Sequence, residues 1–254
     1  FSRVDLTEYR DSHYVGEATT VIVSGGFSEA VLAEVENNFQ KLSNVKMAGK
    51  ALVSESQKEP AILVSHKKTD QTHVVLGVRT FGVFDPQVPA LKVLCSVLGG
   101  GMSSRLFVKL RDELGLCYYV SASPDLYTDH GIFQVAVGAD TKKVALALNA
   151  VMEELKKMAT DFVPEAELRK TKDFLTGNLY LSLESSDELA QFYGIQEILR
   201  KPLKGAEQIA KEIEKVTAED VKSLAEQIFK THNLNLALIG PFKDEKEFKP
   251  ILAF

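Results

Sequence analysis

Between Gly99 and Tyr119 the chain gathers residues able to do chemistry: Gly99-Gly100-Gly101, Ser103-Ser104, Arg105, Arg111, Cys117 and the pair Tyr118-Tyr119. A glycine turn ahead of a helix N-terminus can cradle a phosphate. Here no Lys-Ser/Thr follows in P-loop order and no Gly-x-Gly-x-x-Gly occurs, so a nucleotide site is not expected. The glycines are read instead as letting a turn come close to another element. Metal chemistry would need clustered ligands. The five histidines are His13, His66, His73, His130 and His232, and no two are four apart. His66 and His73 are the nearest pair and flank a polar turn; they read as exposed strand-end residues, with a metal pair as the alternative. The two cysteines, Cys95 and Cys117, lie in apolar segments and read as structural thiols; a disulfide framework is excluded by their number.

Residue spacing supplies the elements that hold this stretch. Leu106, Phe107, Leu110 and Leu114 form one apolar stripe, predicting a helix over Ser103–Leu114. Arg111 follows Phe107 by four residues and so lies at the edge of the stripe. Gly115 fits the position that ends a helix. The strand Cys117–Ala122 follows, and Tyr118 and Tyr119 would face opposite sides of it. A helix with Leu91, Leu94, Cys95 and Leu98 inward precedes the glycines. Strands are expected at Ala61–Ser65 and Thr72–Thr80, paired through Lys67–Gln71, and at Gly131–Gly138 and Leu234–Ile239. Helices are expected from Thr141 to Met158, from Pro164 to about Leu183, and over Ser185–Leu199, Leu203–Val216 and Ala218–Phe229.

The chain has 254 residues, 45% hydrophobic and 26% charged, with net charge −5. This is a globular composition with no basic face for nucleic acid and no apolar run of ~18 residues for a membrane span. Residues 1–46 read as helix, strand (Ala18–Ser24) and helix (Ser28–Leu42); residues 47–60 lose periodicity and read as a linker. The end of the chain echoes its beginning. A shift of 215 places Asp5-Leu6 on Asp220-Val221, Tyr14 on Phe229 and Val21–Phe27 on Leu236–Phe242. This register points to an internal duplication whose first copy is truncated. The fold class is therefore α+β, a mixed sheet with helices packed on it. The domains are 1–46, the remnant of a first copy; 47–60, the linker; 61–242, the second copy; and 243–254, a tail.

The segment LGGGMSSRLFVKLRDELGLCYYVSA (Leu98–Ala122) resembles the second-domain signature of the pitrilysin/insulinase zinc peptidases, in particular their mitochondrial-processing-peptidase-like branch. Pro164-Glu165-Ala166-Glu167-Leu168 leading to Ser185-Ser186, and Tyr14 with ATTVIVSGGF, resemble further blocks of that family. The resemblance implies homologous α/β domains facing each other across a chamber. It also implies zinc held by an His-x-x-Glu-His helix, where two histidines share one face and the glutamate polarises the metal's water. That motif is absent here, so no catalytic or metal residue is assigned to this chain; zinc is expected in the complete protein or a partner.

The family's second domain carries an arginine and a tyrosine seven residues apart that hold the substrate backbone. The matching residues are Arg111 and Tyr118, with Tyr119 in reserve. An arginine offers a fixed fork of donors, and a tyrosine hydroxyl can donate to the oxyanion of peptide hydrolysis. The plain alternative is a surface ion pair for Arg111 and simple packing for Tyr118. Gly99, Gly100 and Gly101 are a structural loop, with a substrate-contacting glycine loop as a further option. The implied function is the substrate-holding, metal-free half of a zinc metalloendopeptidase, inactive alone. The alternative is a noncatalytic homologous subunit. The implied partners are a peptide substrate and a homologous catalytic domain or subunit, in a homodimer or heterodimer. The chain begins with Phe1 and names no compartment; the cytoplasm is the default expectation.

Overall fold

The computed structural model describes residues 1–46, 49–199 and 201–254. In chain order it contains α1 (Arg3–His13), α2 (Glu29–Phe39), β1 (Ala61–His66), β2 (Gln71–Thr80) and α3 (Val88–Gly99). A π-helix (Phe107–Glu113), β3 (Cys117–Leu126), β4 (Gly131–Asp140), α4 (Val144–Thr160) and α5 (Glu165–Leu181) follow. The chain ends with α6 (Ser186–Ile198), α7 (Ala206–Glu214), α8 (Ala218–Ile228) and β5 (Leu234–Gly240), plus short 3₁₀ turns. These residues form two compact units, one of Phe1–Leu52 with Asn178–Ala206, the other of Val53–Gly177 with Glu207–Phe254.

The larger unit is built on a five-stranded sheet of order β1-β5-β2-β4-β3, with β1 parallel to β5 and the other pairs antiparallel. Strand alternation gives the sheet one buried face. Val74, Leu76 and Val78 of β2, Phe133, Val135 and Val137 of β4, and Leu234, Leu236 and Leu238 of β5 all point into the core. They pack under α3, α4 and α8, where Leu91, Leu94, Val151, Leu155 and Leu224 are fully buried. Burying each such side chain stabilises by roughly 1.5–3 kcal/mol. The opposite face is open: Leu63, Val75 and Ile239 are exposed on it.

Several local expectations need correction. β1 and β2 are not a hairpin, because β5 lies between them and pairs with both. Residues 67–70 therefore cross the end of β5, and the Lys67 amide donates to the Gly240 carbonyl at 2.8 Å. The predicted strand Ala18–Ser24 does not form: Gly16–Ala18 is a 3₁₀ turn and the following residues are not in a ladder. Its counterpart β5 is flanked by strands on both sides, whereas no strand lies beside residues 19–24 among the described residues. The apolar stripes of α1 and α2 exist, yet neither helix buries a residue. Within this smaller unit, Ile22 packs against α6 where Gly194 leaves room. The predicted linker begins at Met47 and Ala48, which lie outside the described residues. Its later part is clipped to the sheet: Gln57 donates to the Leu234 carbonyl at 3.0 Å, and Glu55 pairs with Arg79 at 2.6 Å.

Phe133 sits at the centre of the core, edge-on to Phe229 with ring centroids 5.1 Å apart. Phe133→Ala is expected to lower stability by about 3–5 kcal/mol in urea denaturation. A loss under about 1 kcal/mol would contradict this packing.

Candidate functional site

The glycine run is where α3 ends and turns toward the site. Gly99 is the last residue of α3 and presses on β3 so closely that a Cβ would collide with the Ala122 backbone nitrogen. Gly100 caps the helix in a right-handed conformation, and Gly101 lies against the Phe174 ring. The chain then turns through Met102 and Ser103, with the Ser104 amide donating to the Gly101 carbonyl.

Arg105 anchors the element that follows. Its Nε and Nη2 donate to the two carboxylate oxygens of Glu167 at 2.9 and 2.7 Å, in the bidentate geometry that suits arginine. Hydrogen bonding to Glu167 raises the Arg105 pKa, against the opposing effect of burial. Glu167 lies in the first turn of α5, so the pair fixes the start of the helix to a second helix.

From Phe107 the winding is π rather than α. The Leu114 amide reaches back five residues to the Lys109 carbonyl, and the Leu116 amide reaches the Leu110 carbonyl. This wider winding corrects the predicted stripe. Leu106 and Leu110 are fully buried, but Leu114 is rotated out and exposed. Gly115, with φ +56°, ends the helix in the left-handed conformation that glycine adopts most easily.

Arg111 and Tyr118 meet at this corner. Arg111 is exposed; it lies over the Phe107 ring at 5.1 Å, and its Nη1 donates to the Tyr118 carbonyl at 2.8 Å. No acid pairs with it among the described residues. Tyr118 is the extra residue of a β-bulge: Cys117 pairs with Ala139 and Tyr119 with Gly138, leaving Tyr118 between them. The simple alternation expected for Tyr118 and Tyr119 therefore fails, and both rings are exposed. Their hydroxyls differ. Tyr119 is bonded to His73 Nδ1 at 3.0 Å, while the Tyr118 hydroxyl has no partner among the described residues.

The thiols offer no nucleophile. Burial pushes the Cys95 thiol well above its ordinary pKa, and it also raises that of Cys117, against the lowering effect of Arg111. Nor do the histidines converge. His13 stacks on Tyr9, His66 bonds the Phe242 carbonyl, His73 bonds Tyr119 and His130 bonds Asp129. Among the described residues no group of three or more His, Cys, Asp or Glu could hold a metal ion. The residues present thus do not fit a zinc site.

Residues 1–175 match the family profile described as the peptidase M16 inactive domain. The chain belongs to the peptidase M16 family. An uncharacterized zinc protease of Mycobacterium leprae is 31% identical over 96% of this chain and 56% of its own length. The uncharacterized zinc protease YmxG of Bacillus subtilis is 31% identical over 95% of this chain and 58% of its own. This M16 chain thus spans little more than half the length of these relatives. A crystal structure of a peptidase M16 inactive domain from Pseudomonas fluorescens superposes with a TM-score of 0.81 at 19% identity, covering 97% of this chain and 59% of that one. A chain of Complex III2 from Candida albicans gives 0.84 at 15% identity, covering 100% and 63%. At these identities both show the shared fold alone.

In the sequence His73 was read with His66 as an exposed strand-end residue; both are exposed, His66 on the Phe242 carbonyl and His73 on Tyr119. The readable signal was Gly138, a glycine inside a strand, where another group comes close. For the anchor, Arg105→Lys keeps the charge but loses the fork, and is expected to cost roughly 1–2 kcal/mol. The check is thermal denaturation beside the parent; an unchanged midpoint would show that Glu167 does not hold this helix.

Proposed function

We propose that this chain is the substrate-holding half of a zinc metalloendopeptidase, which lends Arg111 and Tyr118 to a peptide and leaves the metal to a separate homologous domain. The observation that carries this reading is the Arg111–Tyr118 corner itself. One guanidinium N–H is spent on the Tyr118 carbonyl, which ties the arginine to the strand that carries the tyrosine. The remaining guanidinium donors and the Tyr118 hydroxyl, which has no partner among the described residues, are left for a ligand. A peptide carbonyl placed here accepts from both, and those bonds strengthen as negative charge builds on its oxygen. Because bulge, π-helix and Gly115 set the corner before any peptide arrives, little ordering remains to be done on binding.

In this reading residues 1–46 are the end of a first peptidase-like domain, 47–60 the linker, 61–242 the second domain and 243–254 its tail. The first domain closes a chamber around the peptide. The exposed apolar stripes of α1 and α2 support a covering partner for this part of the chain. A second reading, a noncatalytic subunit of a larger assembly, is favoured by the fold shared with the Complex III2 chain.

In the complete protein, Arg111→Ala and Tyr118→Phe are each expected to cut peptide turnover by about 100-fold while leaving zinc content intact. Unchanged turnover in both would overturn the reading. The 254-residue chain alone is expected to bind no stoichiometric zinc. Metal analysis finding one tightly held zinc per chain would contradict the division of labour.

A further inference from the structure

Tyr119, Gly138 and His73 form one row across three strands. β3 pairs Tyr119 with Gly138, and β2 pairs His73 with the same Gly138. The outer two residues are two strand spacings apart, roughly 10 Å between backbones. A side chain at the middle position would stand between them. Gly138 has none, and the Tyr119 ring occupies the space: a Cβ there would collide with Tyr119 Cε1. The ring thus crosses β4, and its hydroxyl meets His73 Nδ1 at 3.0 Å with the two rings inclined by 23°.

A phenol shares its oxygen lone pair with the ring, so it donates more readily than it accepts. With the phenol donating to Nδ1, the imidazole proton lies on Nε2. His73 is exposed on the open face of the sheet, and its Nε2 has no partner among the described residues. The arrangement holds the His73 imidazole on the open face, two strands from the strand that carries Tyr118 and Tyr119. It also separates the two adjacent tyrosines: the Tyr119 hydroxyl is spent on His73, and that of Tyr118 is free.

We propose that His73 is a further peptide-binding residue, its Nε2–H donating to a main-chain carbonyl of an extended polypeptide, with Tyr119 as the positioning residue that fixes its tautomer. This rests on the proposed function, since the peptide is the one that Arg111 and Tyr118 hold. The roughly 10 Å between the backbones of β2 and β3 is the length of about three residues of extended chain, so one short peptide can span the two strands.

The test uses the complete protein, with its metal chelated so that nothing is cut, and fluorescein-labelled β-casein as an unfolded probe read by anisotropy. His73→Ala is expected to weaken binding about three- to tenfold, the range of one net hydrogen bond. His73→Gln, which returns an N–H near the place of Nε2, is expected to recover most of it. Tyr119→Phe is expected to weaken binding, and the double variant to bind no worse than His73→Ala alone. In long-range ¹H–¹⁵N spectra, His73 is expected as the Nε2-protonated tautomer and as a mixture in Tyr119→Phe. Wild-type affinity in His73→Ala while Arg111→Ala is weakened would overturn this proposal and leave the proposed function standing; so would an Nδ1-protonated His73. Wild-type affinity in His73→Ala, Arg111→Ala and Tyr118→Phe together would overturn both.

Discussion

A sheet buried on one face only is the constraint on which the rest of this molecule depends. Val74, Leu76 and Val78 must face α3, α4 and α8, and strand alternation then sends His73, Val75, Gly77 and Arg79 to the open side. A one-residue slip of β2 would bury a histidine and an arginine and expose three core residues. The hydrophobic core therefore fixes the register, and the register puts His73, Gly138 and Tyr119 in one row. The row is a consequence of packing on the far side of the sheet.

The same constraint explains why the corner near Tyr118 is irregular. A regular β3 would send Cys117 and Tyr119 to the same face. The bulge lets Cys117 pack toward the core while Tyr119 crosses the open face, and Tyr118 is the residue left over. The π-winding ahead of it keeps Leu106 and Leu110 buried while carrying Arg111 over Phe107 to the Tyr118 carbonyl. Both features depart from regular structure within a dozen residues, and both aim polar groups at one place. Departures of this kind gather where side chains must be re-aimed rather than packed.

Much of this was legible in the residues. The apolar period of α3 and the spans expected for α4 and α8 gave the helices that cover the sheet, and Gly115 marked the end of the helix before β3. The resemblance carried by Leu98–Ala122 pointed to the family to which the chain belongs. What was not legible depends on partners distant in the sequence. β5 comes from the far end of the chain to separate β1 from β2, and no local pattern encodes that insertion. Thr19–Ser24 has the β-branched content of a strand, but a strand needs a neighbour to bond, and none stands beside it among the described residues. The choice of π over α winding is also hidden, since Leu106–Leu114 satisfies an α-helical stripe. His73 stayed an ordinary strand residue until the pairing of β2 with β4 was known.

The proposed role of Arg111 and Tyr118 is to hold the backbone of a peptide, on a chain whose described residues include no cluster able to hold a metal ion. The most direct measurement is a crystal structure of the complete protein, chelated to stop turnover, with a peptide bound. A peptide main-chain carbonyl is expected within hydrogen-bonding distance of both the Arg111 guanidinium and the Tyr118 hydroxyl. An ordered peptide that touches neither would contradict it.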